Sequence, residues 1–422
     1  MAQQGSIIAV FLAATVPTVI ADDWTQFRGP HGAGVSQEKN LPVVWGPDEN
    51  IEWKSKLPGP GNSSPIVSAS RVFVACASDS GRNRGLHCFD RRDGNHLWMR
   101  TAYCEEIGPT HTQNPYAAST PVADDERIVV WHGTLGLYCY NFEGLELWRT
   151  DLGEFSHVYG YASSPVIHRG RVILNFGPGE RTFMTAVDLT TGDILWQTKE
   201  PGGFSTRQPK IVGSFSTPVV VEIDGRDQIV CSMPTRVVAY EPESGEIIWT
   251  CAGLPNPSTN LVYTSPLIVD GIGVAMTGAR GPAFAFRLGG TGDVTETNRL
   301  WGINKSQPDR LGTGVVIGDY IYVANADVGT AQCIDLQTGD QVWRARLPGA
   351  HWGSIVYADG RMYVTSRSGI TSVFLPNPRQ LELVASNDLG EPSDSTLAIS
   401  DGQIFLRTHE HLFCIGQKAV RK

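Results

Sequence analysis

From residue 63 onward the chain repeats one alternation of small, apolar and turn-forming positions. A hydroxyl-hydroxyl-proline step leads into a short apolar run in Ser63-Ser64-Pro65-Ile66-Val67, Ser119-Thr120-Pro121-Val122, Ser163-Ser164-Pro165-Val166, Ser216-Thr217-Pro218-Val219 and Thr264-Ser265-Pro266-Leu267. Each run is short, rich in β-branched residues and bounded by turn residues, which predicts a first strand. A second run follows, such as Arg71-Val72-Phe73-Val74 or Tyr320-Ile321-Tyr322-Val323, and a third ends at Asp90 or Asp188. Gly94, Gly144, Gly192, Gly245 and Gly339 then supply the positive φ for a tight hairpin into a fourth strand. Weaker copies keep the phase at Gly312-Thr313-Gly314-Val315, Trp352-Gly353-Ser354-Ile355 and Ser395-Thr396-Leu397-Ala398.

The fourth strand carries a tryptophan. Trp53, Trp98, Trp148, Trp196, Trp249, Trp301 and Trp343 follow one another at 45, 50, 48, 53, 52 and 42 residues, the period of a four-stranded propeller blade. A ring of that size wedges between adjacent sheets while its indole N–H meets a backbone carbonyl, so these seven are structural docking residues. The last repeat stops after Gly416 with no fourth strand, and Ile51-Glu52-Trp53-Lys54 is a fourth strand with no blade of its own. Joining them gives an all-β, eight-bladed β-propeller with tryptophan-docking repeats, closed by its N-terminal strand and free of open sheet edges at the seam.

The domain boundaries follow from the repeat. Residues 51–417 are the propeller, 22–50 an N-terminal extension and 418–422 a tail. Residues 1–21 lie outside the pattern, with an apolar core from Ile7 to Ala14 and small residues before Asp22, and read as a signal peptide; an exported, periplasmic or secreted location is expected, with no membrane span in the mature chain. Lys and Arg number 34 against 43 Asp and Glu, a net charge of −9 with no basic run, which argues against nucleic acid as a partner. A monomer is expected. Of eight cysteines, Cys88, Cys139, Cys333 and Cys414 share one strand position in different repeats and would lie in different blades, so packing residues are expected; Cys76 with Cys88 is the one pair near enough in sequence phase to cross-link.

Strand order puts the loops leading into first strands and the turns between second and third strands on one rim. There the leading loops hold His111, Asn114, Tyr116, His157, Tyr159, Tyr161, Asn260, Tyr263, Arg310, His351 and Trp352, and the turns hold Arg82, Arg84, Arg181, Arg236, Arg280, Arg367 and His409. Arginine forks match carboxylates and phosphates while aromatic faces stack, so His111, Asn114, Tyr116, His157, Tyr159, Arg181, Arg236, Arg280, Arg310, His351 and Trp352 are the candidate ligand-binding set, for an anionic small molecule or a protein patch. Solvated loops and rings that plug the channel explain the same residues. Carbohydrate or polymer recognition by the aromatic groups is a third reading. Asn325 with Asp327 is a fragment of a cation site, and His409-Glu410-His411 a weak zinc pattern. No Ser-His-Asp spacing stands out, and no catalytic residue is assigned.

The Ala-x-Asp-x-x-Thr-Gly-x-x-x-Trp stretch from Ala186 to Trp196, with its variants, resembles the tryptophan-docking repeat of the pyrroloquinoline-quinone-like propeller superfamily over residues 45–416. The leading Trp24-Thr25-Gln26-Phe27-Arg28-Gly29-Pro30 and the phrase from Asp401 to Thr408 are similar to exported bacterial proteins of that class. The resemblance implies either a binding or scaffolding propeller, as in outer-membrane assembly factors, or a quinone-dependent oxidoreductase holding pyrroloquinoline quinone beside Ca²⁺. The dehydrogenase pattern includes adjacent cysteines, which this chain lacks, so the first reading is preferred, with no cofactor expected and no catalysis of its own.

Overall fold

The structure, a computed structural model, describes residues 23–179, 181–200, 212–255, 260–278, 280–303 and 308–417. The signal segment and tail read from the sequence lie outside the described residues. Eight sheets, each with a four-stranded antiparallel core, follow one another around an axis as the blades of a propeller. Blades 1 to 7 span residues 66–103, 122–150, 166–199, 219–254, 267–303, 315–346 and 356–388. Blade 8 combines Ala398–Ser400, Gln403–Arg407 and His411–Ile415 with the N-terminal strand Ile51–Lys56, which places Trp53 opposite Cys414 and Lys54 opposite Phe413. The predicted closure is thus present.

Burial follows the pattern from which the strands were read. Second and third strands are covered on both faces by neighbouring blades, as in Ile321–Ala324, all buried. Fourth strands meet solvent on one face and keep only alternate positions inside, so Trp148 is buried between the exposed Leu147 and Arg149. The docking contact spans adjacent blades. Indole N–H groups donate to the next blade from Trp53 to Arg91 O, Trp98 to Phe142 O, Trp148 to Leu189 O, Trp196 to Pro242 O, Trp301 to Leu336 O and Trp343 to Asn377 O, at 2.8–3.0 Å. All eight cysteines are free and buried, Cys76 and Cys88 included.

Trp249 departs from the expected docking. Its N–H donates to Gln228 Oε1 of its own blade, at 2.8 Å. The cause lies in blade 5, whose third-to-fourth connection is long and lays Gly292–Asp293 as a parallel strand along the outer edge of blade 4, opposite Trp249 and Thr250. Blade 7 has no tryptophan in its fourth strand, and the seam between blades 7 and 8 is filled from the N-terminal extension instead. Trp45 is buried there, its ring stacked on Tyr363 at 6.4 Å, its backbone N–H donating to Asn387 Oδ1 while the Asn387 side-chain amide donates to Val43 O.

The first part of the extension enters the axis. Trp24 pairs with Val67 in both directions at 2.9 Å, Thr25 O accepts from Ala123, and Ser36 and Gly34 bracket Tyr357 of blade 7. Buried Arg28 reaches across to Thr313 O, Gly314 O and Ile355 O at 2.6–3.2 Å. The guanidinium thus joins carbonyls at the start of the first strands of blades 6 and 7 to Gly32 O and Ala33 O of its own segment. The segment closes the channel at the end where first strands finish.

Candidate functional site

Above that plug, at the rim where the leading loops converge, the axis holds a cavity of about 330 Å³ to which all eight blades contribute. Phe27 of the plug is part of its floor.

The repeated hydroxyl-proline step builds the wall. The residue before each proline, and its equivalent in later blades, accepts a backbone N–H from the preceding blade: Ser64 N to Thr120 Oγ1, Thr120 N to Ser164 Oγ, Ser164 N to Thr217 Oγ1, Ser265 N to Thr313 Oγ1, Thr313 N to Ser354 Oγ, Ser354 N to Thr396 Oγ1 and Thr396 N to Ser64 Oγ, all at 2.9–3.1 Å. Seven links thus run round the ring and across the closure seam. Each of these oxygens accepts from the protein, and none of these hydroxyls donates to a protein group among the described residues, so Ser64, Thr217, Thr313, Ser354 and Thr396 keep O–H donors for whatever fills the cavity.

Aromatic faces complete the wall. Phe215 and Tyr263 stack at 5.2 Å and 16°, and Tyr159 stands edge-on to His111 at 5.8 Å. Trp352 lies under the Arg367 guanidinium at 4.2 Å. Asp394 is the single charged residue in the described lining. Its carboxylate accepts from Arg367 Nε at 2.8 Å and faces His409 Nε2 at 3.3 Å, with 2 % of its side chain exposed.

Of the candidate set, His111, Asn114, Tyr159 and Trp352 line the cavity. The Asn114 amide donates to Tyr159 O and Tyr161 O, bracing the loop beside it. Tyr116 turns away, donating to Gly108 O under the Arg84 guanidinium. His157 and His351 are buried, and desolvation holds both imidazoles down at about 4. The arginines do not converge on the axis. Arg181 caps Leu152 O and Glu154 O and lies over Phe176 and Phe183; Arg236 pairs at 2.6 Å with the buried carboxylate of Glu200; Arg280 faces Asp327 at 3.7 Å; Arg310 is buried against Gln332. Asn325 donates to Thr330 rather than joining Asp327 around an ion, and His409 and His411 turn to different carboxylates, Asp394 and Glu391.

Phe27, Phe215, Asp394 and the hydroxyl ring were not among the sequence candidates. The ring had a signal, a hydroxyl before proline in five repeats, but that step was read only as the start of a strand. The other three sit at positions with no repeat signature.

The lining does not fit pyrroloquinoline quinone with Ca²⁺. The quinone is a polycarboxylate, and no Lys or Arg lies among the described lining residues. Ca²⁺ takes six to eight oxygen ligands, whereas the one carboxylate here is committed to Arg367 and His409.

Comparison with known proteins agrees on the fold. Tetrathionate hydrolase of Acidithiobacillus ferrooxidans is 21% identical over 315 residues, 72% of this chain and 50% of that protein, so the chain spans about half the length of this curated relative. BamB from Moraxella catarrhalis superposes with a TM-score of 0.59 at 14% identity, covering 87% of this chain and 98% of that one. Quinohemoprotein alcohol dehydrogenase from Comamonas testosteroni gives 0.66 at 13% identity, covering 94% and 81%. The profile of the family described as outer membrane protein assembly factor BamB matches residues 82–345 and 291–375, and the chain belongs to that family of propellers.

Proposed function

We propose that this protein is an exported binding propeller whose axial cavity takes a small, uncharged, hydroxyl- or carbonyl-bearing ligand, and that it performs no redox chemistry of its own. The observation that carries this reading is the lining: aromatic faces, free hydroxyl donors and amides around a space blocked below by Phe27, with the one charge among its described residues already paired. A sugar ring meets such a wall with C–H faces on the rings and oxygens on the donors. An anion such as a quinone polycarboxylate or tetrathionate would lose its hydration and gain no cation in return.

Saturation-transfer NMR and calorimetry with neutral mono- and disaccharides, beside pyrroloquinoline quinone with Ca²⁺ and citrate as anions, test it. Binding by a neutral sugar that Trp352→Ala weakens at least tenfold is expected. Quinone binding with dye reduction, or binding confined to the anions, overturns the reading. A second reading, protein docking across the same mouth, is favoured by Ile107, Val158 and Val328, apolar side chains exposed by 37–44% on mouth-side loops, and by the assembly-factor description of the family.

A further inference from the structure

We propose that Glu391, Glu410 and His411 form a divalent transition-metal site of the Zn²⁺ class at the mouth-side rim between blades 7 and 8. The sequence points to His409-Glu410-His411 as a zinc pattern, but the fold splits it. Residues 408–411 are the tight turn between the second and third strands of blade 8, closed by Thr408 N to His411 O at 2.8 Å. His409 leaves toward Asp394, whereas His411 and Glu410 meet Glu391, which arrives on the loop leading into the blade. One donor atom from each of the three lies within 4.8 Å of the others, and His411 Nδ1 stands 2.8 Å from Glu391 Oε1. Ligands on one Zn²⁺ sit at 2.0–2.2 Å from it, so tetrahedral neighbours are about 3.4 Å apart. The Glu391–His411 pair has only to open slightly, and the exposed Glu410 is the ligand left to adjust.

The frame is fixed before any ion arrives. Thr408 Oγ1 donates to Glu391 Oε2 at 2.5 Å, leaving Oε1 for the ion, the outer hydrogen bond that orients a ligating carboxylate. His409 N to Pro392 O at 2.8 Å and Leu57 N to Glu410 O at 2.7 Å tie the turn to the Glu391 loop and to the N-terminal strand. One imidazole and two carboxylates suit Zn²⁺ or Mn²⁺ better than the all-oxygen preference of Ca²⁺. Three ligands leave positions for water. Because Glu391 and Asp394 share one loop, an ion here would stiffen the cavity wall without touching the cavity.

The alternative metal-binding pair is His87 with His96, Nδ1 to Nε2 at 3.1 Å, which has only two donors. Calorimetry on the full chain after chelator treatment, titrated with ZnCl₂, MnCl₂ or CaCl₂, separates the two. One equivalent of Zn²⁺ is expected, bound more tightly than Ca²⁺. Glu391→Gln and His411→Gln should each weaken it at least tenfold with unchanged circular dichroism and Tm, and Thr408→Val should weaken it severalfold. His96→Gln should leave it unchanged. Absence of Zn²⁺ binding, equal affinity in the Glu391 and His411 variants, loss only in His96→Gln, or a preference for Ca²⁺ overturns the proposal.

Discussion

Replacing Gly192 by alanine tests whether the blade interfaces rest on ring-against-backbone contact rather than on turn geometry alone. Gly192 follows the Asp188-Leu189-Thr190-Thr191 turn at φ +80°, and a methyl there would lie 2.8–2.9 Å from Cδ2, Cε3 and Cγ of Trp148 in the preceding blade. Carbon atoms in contact prefer about 3.5–4.0 Å, so the ring must retreat by most of an ångström. Its hydrogen bond to Leu189 O at 2.9 Å goes with it. Gly170, in the same blade, is the control, with φ +75° and open space where its methyl would go. Gly170→Ala costs only the left-handed backbone, about 1–2 kcal/mol, less the ~0.4–1 kcal/mol by which alanine restricts the unfolded chain. Gly192→Ala adds overpacking of about 1–3 kcal/mol and a hydrogen bond worth roughly 1 kcal/mol. Urea denaturation followed by circular dichroism should therefore show Gly192→Ala less stable than Gly170→Ala by about 2–4 kcal/mol. Equal losses in the two variants would mean that the glycine serves the turn alone and that the docked ring does not depend on it.

Two further outcomes follow from seams and burial. Deleting residues 22–57 removes the closing strand, the Arg28 plug and Trp45 together, and light scattering with thermal melts should show an aggregating or markedly less stable chain; a truncated protein that melts like the parent refutes closure. Burial holds the imidazoles of His87, His157 and His351 at about 4 and that of His132 at about 3. The unfolded chain binds protons at these sites near pH 6.5, so it carries more of them than the folded one between about 6.5 and 4. Stability is therefore full above 6.5 and falls as the pH drops through that window, by about 1.4 kcal/mol per unit for each group. Melting temperatures from pH 7.5 to 4.5 check this, and His351→Asn should remove close to one proton from the dependence. A flat profile contradicts it.

The fold was legible because its constraint recurs in every blade. A strand covered on both faces must be apolar throughout, an outer strand must alternate, and a wedge between sheets needs a flat ring at one phase, so the blade number and the closing strand could be read from residue types alone. Trp249 escaped because an insertion in blade 5, not the phase of the ring, decides what lies beside it. Trp45 escaped for the opposite reason: it fills a docking seam from outside the repeat, and nothing in its neighbours marks the blade it reaches. The site was less legible. Phase places a residue on a rim but not its side chain, and Arg181, Arg236 and Arg280 share the rim of the cavity while spending their donors on local carbonyls and carboxylates.

The hydroxyl ring and the plug meet one need at two ends of the axis. Blades at eightfold spacing leave the inner edges of their first strands short of partners. The hydroxyl before each proline meets that need near the mouth, using lone pairs and leaving protons, and the extension meets it at the other end, using backbone and the Arg28 fork. The hydroxyls bring no charge to the cavity wall, and the Arg28 guanidinium of the plug spends its donors on backbone carbonyls. On the binding role proposed above, this wall offers donors and ring faces while its described lining holds no Lys or Arg, so it is expected to discriminate against anions by the same hydrogen bonds that hold the blades together.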